Sequence, residues 1–152
     1  MAGTAAADER AALVATFAAF PGRLAGAAKA RAAQWRPIPD GEWGPNEAVR
    51  HLIAVEHEVW RARLARLAKE DDPHWTWTEP GLAPGLEDAS LLEILTVFAR
   101  RRARSVATIR ALDDVGWARF GTHATYGRLD VAGLLRLAID HDQEHLAGIE
   151  RG

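Results

Sequence analysis

The sequence predicts an all-α fold, a four-helix bundle. Three observations predict it. Apolar residues recur at spacings of three and four in four separate blocks. Helix-start signals stand at the head of three blocks: Gly44-Pro45, Ser90-Leu91-Leu92-Glu93 and Asp130. No block shows the alternation of a half-buried strand. The chain has 152 residues, 48% of them hydrophobic and 26% charged, which suits one domain over 1–152 with a real core.

The first helix is expected from about Ala7 to Ala33. Leu13, Phe17, Phe20, Leu24 and Ala27 form its stripe, which ends before Arg31. Pro21 lies inside it and should kink or restart it. Gln34 to Gly44 holds two prolines, two glycines and two tryptophans, and reads as a loop. The second helix should start at Gly44-Pro45 and run to about Lys69, with Ala48, Leu52, Val55 and Val59 inward. At about 100° per residue from Ala48, His51 falls about 60° to one side, Glu56 about 80° to the other, and His57 on the opposite face.

Glu70 to Asp88 carries three prolines and two glycines and cannot be one helix. So long a connection needs a reason. The third helix should run from Ser90 to about Leu112, its start fixed by a capping box. Leu91, Leu95, Phe98, Val106 and Ile109 form its stripe. Arg102 sits within that stripe, while Arg100, Arg101 and Arg104 read as a solvated face. Asp113 to Leu129 is a second long connection with Gly116, Gly121 and Gly127. Asp130 should cap the fourth helix, which runs to about Glu150. Val131, Leu134, Leu135, Ala138 and Ile149 mark its inner face, with Asp142 and His145 inside the arc and His141 at its edge.

Charge and composition narrow the function. A net charge of −2 gives no basis for binding nucleic acid or a membrane surface. There is no cysteine, so a thiolate nucleophile or thiolate metal ligand is excluded. The start of the chain lacks a basic stretch followed by an apolar run, and a cytoplasmic location is expected.

His141 and His145 stand four apart on one helix face, a spacing that lets two imidazoles share a metal ion. A third ligand must come from elsewhere, and His51 points to an interior edge. His51 lies near the start of the second helix, and the pair lies near the end of the fourth. They can meet only if these helices are antiparallel. A simple up-down-up-down bundle would separate them by roughly 20 Å. The histidines therefore require one long crossover, and the stretch 70–88 is long enough to supply it. It would carry Trp75, Trp77 and the start of the third helix back towards the metal end. His57, His74 and His123 are not expected to be ligands.

At these residues the chain resembles the DinB-like superfamily, also grouped as DinB/YfiT-like metalloenzymes. The resemblance is carried by Trp43-Gly44-Pro45-Asn46-Glu47-Ala48-Val49-Arg50-His51-Leu52, by Tyr126-Gly127-Arg128-Leu129-Asp130-Val131-Ala132-Gly133-Leu134-Leu135 and by His141-Asp142-Gln143-Glu144-His145-Leu146-Ala147-Gly148-Ile149. The family's last motif reads HDxHHxxQI; here Glu144 replaces its non-ligand histidine and Gly148 its glutamine. The resemblance implies an up-down-down-up bundle with the crossover between helices two and three. It also implies a divalent metal held by His51, His141 and His145, and a homodimer. Members with an assigned activity include thiol S-transferases using bacillithiol or mycothiol, a mycothiol-dependent maleylpyruvate isomerase, and hydrolases.

Three imidazoles leave a divalent ion open to a water or a substrate thiol. Zinc or nickel is foremost, and iron and copper also suit such ligands. Asp142, Glu58 and Glu144 are candidates to orient the imidazoles. Arg102 either pairs with Glu56 or receives an anionic substrate group. Three functions stay open. One is a metal-dependent enzyme on a small molecule, either a thiol S-transferase or a hydrolase. Another is a non-catalytic metal or ligand-binding bundle, and the last is a dimerising scaffold. Rich use of Ala, Arg and Gly leans towards mycothiol among the thiols.

Overall fold

A computed structural model of the protein describes residues 2–34 and 36–152; Met1 and Trp35, one of the two loop tryptophans, lie outside the described residues. The helices are α1 (Ala2–Ala33), α2 (Pro45–Val55), α3 (Ala62–Lys69), α4 (Leu91–Arg110), the short α5 (Asp114–Ala118) and α6 (Val131–Arg151). A π-helical turn, Glu56–Arg61, joins α2 to α3, so the two form one rod. The four expected helices are thus α1, the α2–α3 rod, α4 and α6.

The starts are built as the sequence dictates. At α2, the Glu47 carboxylate accepts from the Gly44 N–H at 3.0 Å. At α4, Ser90 Oγ accepts from the Glu93 N–H at 3.2 Å, and Glu93 accepts from the Ser90 N–H at 3.0 Å. Asp130 Oδ1 accepts from the Gly133 N–H at 2.8 Å at the head of α6. Each contact satisfies an N–H that the first helical turn leaves free.

Helix directions follow from which residues share a core. One apolar cluster joins Val14 and Phe17 of α1, Leu64 and Leu67 of α3, Val106 and Ile109 of α4, and Val131 to Ala138 of α6. The other joins Leu24 and Ala28, Ala48 to Ile53, Ile94 to Phe98, and Leu146 and Ile149. Hence α1 and α6 run one way, and the α2–α3 rod and α4 the other. Two parallel rods in sequence need a crossover, which is the work of residues 70–90.

The sequence reading admitted no strands, and the fold corrects this. A small sheet of order β1-β2-β3 caps one end, with β1 (His74–Trp75), β2 (Phe120–His123) and β3 (Gly127–Asp130). β1 runs parallel to β2, with Trp75 opposite His123, and β2–β3 is a hairpin. Gly127 turns the hairpin at φ +73°. Gly121 is needed for packing, since a Cβ there would lie 2.5 Å from the Trp75 ring and 2.7 Å from the Pro73 carbonyl oxygen. The crossover therefore starts pinned to the sheet. Trp75 is buried there rather than carried to the histidine end, and Trp77 is exposed. The start of α4 does pack at that end, through Ile94 and Leu95.

α1 passes through Pro21 as one helix, without the restart that was one of the two expectations. Proline has no N–H, so the carbonyl four residues back, Phe17, loses its helical donor. Arg102 Nη1 supplies one at 3.0 Å. α1 is also long and apolar enough, by length and composition, to cross a membrane. Much of that hydropathy is alanine, and Phe17, Phe20 and Leu24 pack into the bundle.

Arg102 is 1% exposed and tied to all four rods. Its Nε donates to Glu56 Oε1 at 2.7 Å, and its Nη1 and Nη2 donate to Asp142 at 2.7 and 3.0 Å. The rings of Phe17, Phe20 and Phe98 surround it, at 3.8, 5.5 and 5.1 Å from the guanidinium carbon. Glu56 opens the π turn and is fully buried. Burial opposes the Arg102 charge, yet Glu56 and Asp142 together raise its pKa. Burial, helped by Glu56, pushes Asp142 up to about 6 against the pull of Arg102. Arg102 is thus a core partner, paired with Glu56 and Asp142. Arg102→Met leaves two buried carboxylates without a cation and should destabilise the fold by about 3–5 kcal/mol in chemical denaturation. An unchanged denaturation midpoint would show the cluster to be dispensable.

Candidate metal centre

The site follows from the opposed directions of α2 and α6. His51 stands in the second turn of α2, and His141 and His145 in the second half of α6. One ring nitrogen from each lies within 4.8 Å of the others, and all three side chains are half-buried. His141 Nε2 and His145 Nε2 are 3.2 Å apart. Two nitrogens bound tetrahedrally at 2.0–2.1 Å from zinc would be about 3.3 Å apart, so the spacing fits a shared ion.

The imidazoles are also in the right protonation state. Burial, then His145, lowers His51 to about 4. Burial, then His145, His51 and Arg102, lowers His141 to about 4. Burial also lowers His145, with Glu144 opposing. At neutral pH the rings are neutral, the state in which imidazole binds a metal. Three neutral nitrogens with no thiolate suit a borderline divalent ion, so the residues present fit the group that the sequence implied.

Support around the imidazoles differs from expectation. None of the three candidate carboxylates hydrogen-bonds a site histidine. Asp142 faces Arg102, because one residue along a helix turns a side chain by about 100° from His141. Glu58 Oε2 accepts from the Gly81 N–H at 3.0 Å and ties the crossover to the π turn. Glu144 is exposed. His141 Nδ1 is buried without a partner.

Aromatic walls take that place, and sequence reasoning gave them no role. The Trp43 ring lies 4.9 Å from His51 and is stacked 6.5 Å from His145. Trp60 meets His141 edge-on at 5.9 Å. The signal for Trp43 was its place just before the Gly44-Pro45 start, which fixes it beside the first turns of α2. The signal for Trp60 was masked, because the π turn shifts every angle after Val55. A cavity of about 410 Å³ opens beside His145, lined by Arg31, Trp43, Gly44, Ala48 and Gly148 among others. Gly148, where the family motif has glutamine, faces open space.

The other histidines lie elsewhere. His57 is exposed, His74 sits in β1 with its ring 3.5 Å from Asp72, and His123 is buried in β2. The histidine pKa shifts set a pH test for the metal-free protein. Folded His51 and His141 take up protons near 4 and unfolded ones near 6.5. Their contribution to stability is therefore complete above 6.5 and is lost as pH falls towards 4. An NMR titration of the imidazole protons should give midpoints near 4 for both rings; midpoints at 6.5 would mean that the site is open to water.

Residues 7–149 match the family model of the DinB superfamily. No curated protein matches the chain. Among solved structures, YfiT from Bacillus subtilis is similar, with TM-score 0.73 and 20% identity over 93% of this chain and 84% of that one. YfiT is described as a probable metal-dependent hydrolase with an unusual four-helix bundle topology. At that identity the likeness speaks for the fold alone. The family match covers nearly the whole chain, and the protein belongs to the DinB superfamily.

Proposed function

We propose that the protein is a divalent-metal-dependent enzyme that acts on a small molecule, as a thiol S-transferase of the mycothiol or bacillithiol type. The observation that carries this reading is the convergence of His51, His141 and His145 beside an open cavity. The three imidazoles would hold zinc or nickel, with iron as the next choice. The bound ion would supply Lewis acidity, which lowers the pKa of a thiol or water or polarises a carbonyl.

The chain's own residues shape the rest. Trp43 and Trp60 bracket the imidazoles and limit their access to bulk water. Arg31 and Glu42 on the cavity wall offer a substrate one charge of each sign. No carboxylate among the described residues hydrogen-bonds a site imidazole; Glu42 lies on the cavity wall, with no hydrogen bond that holds it at the imidazoles. That favours a nucleophile that needs little help in losing its proton. A thiol, with a pKa of about 8.5, meets that need better than water. The chain has no cysteine, so the thiol belongs to a substrate.

Hydrolysis is the second reading, favoured by the description of YfiT. A non-catalytic bundle is separated from both by chelation, which would unfold a protein whose metal is structural. The reading includes a cytoplasmic homodimer. Metal analysis of the purified protein should find one divalent ion per chain. His145→Ala should weaken binding by more than about 100-fold, beyond the usual cost of an outer partner. The metal-loaded protein should then transfer a low-molecular-weight thiol to an electrophile. Unchanged metal content in His145→Ala would overturn the reading. Hydrolysis of esters or amides without thiol transfer would select the second.

A further inference from the structure

Two arginines are buried among the described residues, Arg63 and Arg102. Arg102 has two carboxylates. Arg63, on α3, makes no ion pair among the described residues. Its hydrogen-bond contact is His123, with Nη2 3.4 Å from Nε2. That contact is a mismatch. His123 Nδ1 already accepts from the Thr125 N–H at 3.0 Å and the Tyr126 N–H at 3.4 Å. A neutral imidazole has one proton, so it must sit on Nε2. Guanidinium can only donate. Two N–H groups therefore face each other with no acceptor.

A further buried donor lies on the neighbouring strand. Trp75 pairs with His123 across β1 and β2. Its Nε1–H is buried without a partner. The Arg63 guanidinium carbon lies 5.8 Å from the ring centroids of both Trp75 and Trp60. A guanidinium held over two indole rings, without a carboxylate, thus stands beside N–H groups that lack an acceptor, an arrangement that favours the entry of one. Burial and then Arg63 lower the His123 pKa, which keeps that ring neutral.

We propose that Arg63, His123 and Trp75 form a second ligand site, separate from the histidine centre, that takes a small monovalent carboxylate. A planar carboxylate matches the guanidinium fork. Its single charge balances Arg63. The indole faces beside it suit a compact, weakly hydrated anion better than a phosphate dianion. Tyr126, whose ring lies 4.8 Å from His123 and is exposed at the hairpin tip, is the outer cover. Trp60 stands between this site and His141.

The test is thermal unfolding of the full chain in formate, acetate, phosphate or chloride at one ionic strength. Formate and acetate should raise Tm by about 3 °C over chloride with a saturating dose dependence, whereas phosphate should show only the non-saturating rise of an excluded salt. Arg63→Met should abolish the shift. Trp75→Phe, which keeps a ring and removes the N–H, should reduce it. His145→Ala should keep it, so loss of metal binding and loss of this site are told apart. Should Arg63→Met fail to fold, acetate titration of Trp75→Phe by calorimetry decides, and a weakened affinity is expected. Equal Tm in acetate and chloride, an acetate affinity unchanged in Trp75→Phe, or a shift that survives Arg63→Met would overturn the proposal and leave water as the acceptor. A shift lost in His145→Ala would also overturn it, by placing the anion at the histidine centre.

Discussion

A guanidinium in the middle of an apolar core must be paired, and the arrangement of the bundle follows from how Arg102 is paired. Glu56 comes from the π turn, Asp142 from α6 and the Phe17 carbonyl from α1. Each partner requires a local irregularity or a specific face. Pro21 frees the Phe17 carbonyl that Arg102 uses. The π turn begins at Glu56. A buried pair of this kind is weak evidence for stability compared with an apolar core, but removing one member is strongly destabilising. The cluster is therefore better understood as fixing which faces of the rods meet.

That constraint reaches the histidines through the chain itself. Asp142 is the neighbour of His141, and Glu56 lies five residues after His51. Holding Asp142 towards α4 leaves His141 at the seam between α2 and α6, where His51 and His145 meet it. One turn of α6 thus serves the core on one side and the site on the other. The crossover, tied to the π turn by Glu58 and Gly81 and to the sheet by Trp75, allows the two middle rods to run parallel. Without that return the three imidazoles would lie at opposite ends.

Much of this was legible from helical geometry. Angles placed His51 at an inner edge and Arg102 inward, with Glu56 as one of two roles open to it, and the depths of the histidines along their helices required two opposed rods if they share a metal. The capping residues Gly44, Ser90 and Asp130 stand where the starts were expected. What was not legible depends on tertiary packing. No local signal marks a π turn, so Trp60 could not be oriented. β1 is two residues long and exists only because β2 lies beside it. The hairpin's cue, Tyr126-Gly127, lay in a stretch rich in glycine and short of apolar residues. Asp142 was one of three candidates to orient an imidazole, yet its side chain is committed to Arg102.

The central claim is that α2 and α6 are held so that three neutral imidazoles can bind one divalent ion. X-ray absorption at the metal edge of the zinc- or nickel-loaded protein, with His51→Ala alongside, tests it most directly. The account predicts three imidazole nitrogens at about 2.0–2.1 Å in the wild type and a loss of one in the variant. A first shell of carboxylate oxygens, or a spectrum unchanged in His51→Ala, would contradict it.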